Sequence, residues 1–322
     1  WGTTVGHLAA HNAQTLLWAR SEATVSDIND YNANLRYLEG YNLHPGLRAT
    51  SDLEEAVRCA DVLVMGVPSQ AFRETLGQVG QFLRPWVPVV SLTKGLELST
   101  RKRMSQVIHE VLPGHPAAVL TGPNLAKEIL VGDAAATVIA TPDPVVAETL
   151  QAVFATERFR VYANPDVIGC ELGGALKNVI AIASGMADGL GTGDNTRAAV
   201  ITRGLAELTA LGVAMGGQQV TFAGLAGMGD LIATCISPQS RNRHVGEQLG
   251  KGRSIEEIVD EMNMVAEGVK TSNVVMELAR EYEVDVPITA QVQAVCHEGR
   301  SAADAYSGLV GGRTGVEHLG YE

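Results

Sequence analysis

The sequence predicts a doubly wound α/β domain followed by an all-α domain, and three observations carry that reading. Short apolar runs alternate with helix-sized segments through the first half of the chain. Most of those runs are continuous rather than alternating, as in parallel strands covered on both faces. Beyond residue 163 a helical apolar period takes over and runs to the end of the chain. The boundary is therefore placed there, giving domains 1–163 and 164–322.

The chain opens "WGTTVGHLAAHN" and continues "QTLLWAR". A small-residue turn, an Ala-rich helix and a second strand are what follow the first strand of a dinucleotide-binding βαβ unit. The domain is thus read as Rossmann-like. On that reading its first strand and leading G-x-G are expected to be missing from this chain and would occupy about ten residues. An ordinary N-terminal helix is the alternative for these residues alone. Gly2 stands near the third glycine of the fingerprint, where a helix must approach the sheet closely. At the end of the second strand such enzymes carry an acidic residue for NAD or a basic one for the 2′-phosphate of NADP. Arg20 stands at about that point, so NADP is preferred, and Glu22 keeps NAD open.

The remaining strands expected are 61–68, 87–95, 117–123 and 136–141, with "TLLWAR" at 15–20. Helices are expected at 52–60, capped by Ser51, and at 99–111, opening at a serine. Asn164 and Pro165 mark the start of a long helix whose apolar residues recur from Ile168 to Met186. Further helices are expected at 196–214, 241–249, 254–262, 269–283, 290–298 and 301–310. Ser254 with Glu257 forms a capping-box pattern.

Composition narrows the function. The 24 basic and 36 acidic residues give a net charge of −12, which argues against a nucleic-acid binder. It leaves room for a small anion in a locally basic pocket. No apolar run reaches membrane-span length. Cys59, Cys170, Cys235 and Cys296 are far apart, so no zinc-type spacing exists and no metal site is expected. A reducing, cytoplasmic setting is the default expectation.

Four segments bring chemistry-bearing residues together. In "CELGGALKNV", Lys177 and Asn178 each follow a glycine by four residues, so they lie over the bare turn of Gly173 and Gly174. A solvated lysine beside glycines that let two helices pack is the alternative. In "GLAGMGDLIATCISPQSRNRHVG", Gly224, Gly227 and Gly229 let the backbone bend before Asp230. Ser240 then caps a helix whose first turn holds Arg241 and Asn242, a place for a phosphate or other oxyanion. Arg243 and His244 are read as facing solvent. A capped surface helix with scattered charges is the plainer alternative. Lys94 in "SLTKGLE" and Gly122, Asn124 and Lys127 in "TGPNLAKE" follow the carboxyl ends of strands, where open α/β sheets bind ligands.

Taken in order, "WGT", "TKGLE", "GPNLAKE", "NPDVIGCELGGALKNVIAIASGMADGL", "NTRAAVITRGLAE", "TFAGLAGMGDLIATCISPQSRNRHVG" and "VAEGVKT" resemble the bacterial-type NAD(P)-dependent glycerol-3-phosphate dehydrogenases, over essentially the whole chain. The resemblance implies that Lys177 is the proton acceptor, with Lys94 and Asp230 beside it. It implies that Lys94, Gly122, Asn124, Lys177, Asn178, Asp230, Ser240, Arg241 and Asn242 line the substrate site. It gives Trp1, Arg20, Lys94, Ala126, Arg241, Val265 and Glu267 as dinucleotide contacts. Asn124 stands where many members have Ser or Thr. The implied reaction is hydride transfer between NAD(P)H and dihydroxyacetone phosphate, supplying glycerol 3-phosphate for phospholipid synthesis, in a homodimer. The rivals are a hydroxy-acid dehydrogenase of similar architecture and a non-catalytic dinucleotide-sensing or interaction protein. Substrate competition separates the first, and the intact Lys177 and Asp230 argue against the second.

Overall fold

The computed structural model describes residues 1–262 and 266–310. The chain forms two units. One comprises Trp1–Thr93 with Lys102–Val167, the other Lys94–Arg101 with the residues from Ile168 onward. The short segment 94–101, counted with the first domain in the sequence reading, thus groups with the second.

In the first unit the elements are α1 (Gly2–Ala9), β1 (Thr15–Trp18), α2 (Glu22–Tyr31), β2 (Leu47–Thr50), α3 (Leu53–Arg58), β3 (Leu63–Met65), α4 (Ser69–Val79), β4 (Val89–Ser91), α5 (Met104–Val111), β5 (Ala117–Thr121), α6 (Ala126–Leu130), β6 (Ala135–Ala140), α7 (Pro144–Phe154) and β7 (Phe159–Asn164). The strands form two sheets, β1-β2 and β3-β4-β5-β6-β7. Pairs β1-β2, β3-β4, β4-β5 and β6-β7 are parallel. Strand β6 departs from the all-parallel expectation and runs antiparallel to β5, with Leu120 opposite Ile139. The connection between them holds only the five-residue α6. That is too short for a helical crossover back along the sheet, so the chain re-enters from the end it left.

Local chemistry sets the helix starts. Asp52, not Ser51, caps α3, because its carboxylate takes two amides, those of Glu54 at 2.9 Å and Glu55 at 3.2 Å. Helix α5 starts at Met104 rather than at Ser99, because Arg101 has a left-handed φ of 60° that no helix accommodates. Asn164 ends β7, and its side chain accepts the Asp166 amide at 2.9 Å, turning the chain into the next helix. Apolar side chains of β4, β5, α1 and α7 share one core, with Val90, Ala118, Leu150 and Phe154 fully buried.

The second unit is helical: α8 (Val167–Gly189), α9 (Asp194–Ala214), α10 (Gln219–Phe222), a π-helical turn (Leu225–Gly229), α11 (Asp230–Ile236), α12 (Arg241–Gly250), α13 (Ile255–Glu261), α14 (Glu267–Glu281), α15 (Pro287–His297) and α16 (Ala302–Val310). Helix α8 is buried from Gly169 to Ala187 and forms the centre of this core. A helix apolar all round belongs inside a protein. The stretches Val167–Gly189 and Gln219–Ile236 have the length and composition of a membrane span, beyond what the sequence reading allowed. The first is 89% buried inside the protein, as a core helix is. Helices α8 and α12 cross at backbone contact. A Cβ on Gly185 would lie 2.0 Å from the Arg243 carbonyl oxygen, and one on Gly246 would lie 2.0 Å from that of Ile182. Only glycine permits such an approach.

Candidate active site

Helix α8 carries Lys177 into the core, where the residue is 4% exposed. An ammonium so placed needs a counter-charge and full hydrogen bonding. Asp230, the first residue of α11 and 2% exposed, supplies the charge. Lys177 Nζ donates to Asp230 Oδ1 at 2.6 Å, and also to Thr234 Oγ1. Thr234 in turn donates to the Asp230 carbonyl oxygen at 2.7 Å, which leaves its lone pairs for the lysine. Lys94 Nζ donates to the other carboxylate oxygen, Asp230 Oδ2, at 2.7 Å. Two ammonium groups therefore share one buried carboxylate, and these three side chains carry net positive charge. Burial pulls Lys94 down from 10.5 to about 8; the Asp230 carboxylate opposes that and the neighbouring Lys177 ammonium adds to it.

An ammonium has three donors. Asp230 and Thr234 take two from Lys177. Thr234 was not among the residues singled out in the sequence. Its spacing, four residues after Asp230 on one helix face, is the signal that points to it.

A chain of amides fixes the frame around this cluster. The Gly268 N–H donates to Asn242 Oδ1 at 3.0 Å, Asn242 Nδ2 donates to Asn178 Oδ1 at 3.0 Å, and Asn178 Nδ2 donates to the Lys94 carbonyl oxygen at 3.2 Å. This ties the starts of α12 and α14 to α8 and to the Lys94 backbone. Ser240 caps α12 as expected, accepting the Arg243 amide at 3.2 Å. Arg241 follows at the first helical position and is exposed. Glu267 opens α14, and Val265 lies outside the described residues.

Three expectations are corrected here. Gly173 does not leave a bare face for a ligand. A Cβ there would lie 2.6 Å from the Ala226 carbonyl oxygen, so the glycine admits the backbone of the π-helical turn that precedes Asp230. That turn replaces the expected sharp bend. Arg243 does not face solvent: it pairs at 2.8 Å with Asp188, whose side chain is 7% exposed, whereas His244 is exposed.

In the first unit, Gly122 has a φ of 140° just beyond β5, and a Cβ there would lie 3.2 Å from the Thr137 Cα. Asn124 donates through Nδ2 to Thr137 Oγ1 at 3.0 Å, while its Oδ1 is buried with no hydrogen-bond partner. Lys127 is exposed, 6.0 Å from the Tyr41 ring centroid, and Ala126 opens α6. Arg20 is exposed two residues beyond β1, just before the Ser21 cap of α2, whose first residue is Glu22. Trp1 is the N-cap residue of α1 and makes no side-chain cap bond. The start of α1 lies against the backbone of Gly66 after β3, since a Cβ on Gly66 would lie 3.1 Å from the Gly2 Cα. Uncapped amides at a helix start beside glycine backbone fit the pyrophosphate of a dinucleotide, and Arg20 fits a 2′-phosphate.

Residues 1–147 match the family described as NAD-dependent glycerol-3-phosphate dehydrogenase N-terminus, and residues 166–307 match its C-terminus. A glycerol-3-phosphate dehydrogenase [NAD(P)+] of Sphingopyxis alaskensis is 58% identical over 317 residues, 98% of this chain and 95% of the relative. One from Mycobacterium bovis is 58% identical over 311 residues, 96% of this chain and 91% of the relative. The crystal structure of glycerol-3-phosphate dehydrogenase from Coxiella burnetii aligns with a TM-score of 0.91 at 35% identity, covering 96% of this chain and 95% of that one. With both of its halves matched, the chain belongs to the NAD-dependent glycerol-3-phosphate dehydrogenase family.

Proposed function

We propose that this protein catalyses reversible hydride transfer between NAD(P)H and the central carbon of dihydroxyacetone phosphate or glycerol 3-phosphate. The observation that carries the reading is Lys177, a buried ammonium with two donors engaged by Asp230 and Thr234. The dinucleotide supplies or accepts the hydride. In reduction, Lys177 donates to the ketone oxygen, stabilises the developing negative charge and delivers the proton. In oxidation the neutral amine takes the hydroxyl proton back. Asp230 and Thr234 hold the Lys177 nitrogen in place. Lys94 adds positive charge where an anionic substrate arrives.

The start of α12 supports the phosphate end of the site. The Ser240 cap, the amides of its first turn and the Arg241 guanidinium offer an oxyanion charge-assisted hydrogen bonds. Asn178 and Asn242, locked to each other, hold that turn. Gly122 and Asn124 are the substrate contacts proposed for the first unit. Trp1, Arg20, Ala126, Arg241, Lys94, Glu267 and Val265 are those proposed for the dinucleotide. Exposed Arg20 favours NADP over NAD. The free thiols Cys59, Cys170, Cys235 and Cys296 support a reducing, cytoplasmic setting, in which a homodimer would supply glycerol 3-phosphate for phospholipid synthesis. The test is NAD(P)H oxidation driven by dihydroxyacetone phosphate against 2-oxo acids, in the parent and in Lys177→Ala. Turnover with the oxo acids alone would favour a hydroxy-acid dehydrogenase instead.

A further inference from the structure

Helices α8 and α12 meet through glycines. Gly185 and Gly189 face the carbonyl oxygens of Arg243 and Glu247, and Gly246 and Gly250 face those of Ile182 and Met186. Such a crossing brings the backbones close, and at the glycines themselves there is no side chain to interlock. Ridges seated in grooves ordinarily fix how one helix is rotated and slid along another. Here polar ties beside the crossing add to the buried packing of Val245 and Leu249.

Asp188 provides the strongest of these. Its side chain is 7% exposed and binds two guanidinium groups, one on each oxygen. Arg243 donates to Oδ2 through Nε at 2.9 Å and through Nη2 at 2.8 Å. Arg197 of α9 donates to Oδ1 through Nε at 2.8 Å and through Nη2 at 2.7 Å. Eleven residues separate Asp188 from Lys177 on α8, close to three full turns, so both lie on one side of that helix. Arg243 is the third residue of α12, and its own amide is held by Ser240 Oγ. The guanidinium that Asp188 grips thus belongs to the same turn as Ser240, Arg241 and Asn242. Arg243 also lies 3.6 Å from Glu247, and Arg197 lies 3.4 Å from the exposed Asp194.

From this geometry we infer that Asp188 is a positioning residue for catalysis. By holding Arg243 it sets the place of the phosphate-binding turn of α12 relative to Lys177. Asp188 touches no substrate, and its effect passes through Arg243 alone. This rests on the proposed reading of α12 as the phosphate end of the site. Misplacing a binding group by about 1 Å costs on the order of a hundredfold in rate. Asp188→Asn keeps the size of the side chain, removes its charge and turns one acceptor into a donor facing a guanidinium.

The experiment compares kcat/KM for dihydroxyacetone phosphate with kcat/KM for dihydroxyacetone, using NADPH and the whole protein. A parent with no preference for the phosphorylated ketone overturns the phosphate reading, and this inference with it, before any variant is made. With that preference present, Asp188→Asn is expected to reduce the ratio about tenfold or more, mainly through KM for the phosphorylated ketone. Turnover of the unphosphorylated ketone stays near the parent value. Arg243→Lys, which loses the forked donor, gives the same change and carries the test if the Asn variant does not fold. Arg197→Gln breaks the other half of the cluster and leaves the ratio unchanged. Equal losses for both ketones in Asp188→Asn and Arg243→Lys, or an unchanged ratio in a folded variant, would assign Asp188 to stability alone and overturn the proposal.

Discussion

Replacing Asp230 with Asn probes the charge arrangement most severely. The carboxylate lies 2.6 Å from the Lys177 nitrogen and 2.7 Å from the Lys94 nitrogen, and it is 2% exposed. Its loss removes the carboxylate that the two ammonium groups share. Breaking one buried pair costs about 3–5 kcal/mol, and Lys94 keeps some solvent contact, so about 3 kcal/mol is expected at neutral pH. For a unit of this size that corresponds to a fall in melting temperature of roughly 6–12 °C. The pH dependence has a definite sign. Burial holds Lys94 at about 8 against 10.5, so the penalty for its charge is full below pH 8 and disappears as pH rises from 8 to 10.5. Removing Asp230, which opposes that depression, moves the start of this window lower. The deficit of the variant should therefore be largest near about pH 7 and smaller near about pH 9. Calorimetry on parent and variant at the two pH values measures it. A variant that melts with the parent at both, or a deficit that grows with pH, would refute the shared-carboxylate argument.

Further outcomes follow from single residues. Arg20→Ala should weaken NADPH binding more than NADH binding, by about tenfold in the ratio of Kd values; equal losses in a titration would show that Arg20 does not read the 2′-phosphate. Glu207 of α9 accepts the Ile288 amide at 2.6 Å and the Thr289 amide at 3.1 Å at the start of α15, and burial pushes it up to about 7. Its folded value lies above 4.5, so the native state keeps its proton longer than the unfolded chain, and stability falls as pH rises from 4.5 to 7. Glu207→Gln should flatten that part of the melting-temperature profile, and a variant with the parent's slope would exclude Glu207 as its source.

The helical half was legible because its signals are local. Ser240 and Ser254 cap the helices predicted to follow them, and the Ser254–Glu257 capping box forms on both sides. The strands were less so. β2 is four residues long, and most of β7 is solvent-accessible, so neither shows the apolar run that marks β4 and β5. The reversal of β6 depends on how short α6 is, which the apolar pattern does not encode. In the site, the cap at Ser240 was readable. The Lys177–Asp230 pair spans 53 residues of chain, and no spacing rule reports it. Gly173 misled for a physical reason: a bare helix face serves a ligand and a neighbouring backbone equally well, and the sequence does not say which arrives. Arg243 misled likewise, because its partner Asp188 lies 55 residues earlier.

The central claim is that Lys177 exchanges the proton with the substrate oxygen, and one measurement tests it most directly. The near-ultraviolet absorbance of NADPH is followed as dihydroxyacetone phosphate is added to the parent and to Lys177→Ala, with NADPH binding and melting measured alongside. The parent should oxidise NADPH only when the phosphorylated ketone is present. The variant should fold and bind NADPH like the parent, with Asp230 still paired to Lys94. Its kcat should fall by at least about a hundredfold, the scale of lost general acid–base catalysis. A folded variant that turns over at the parent's rate, or a parent that leaves NADPH unchanged when the ketone is added, would contradict the account.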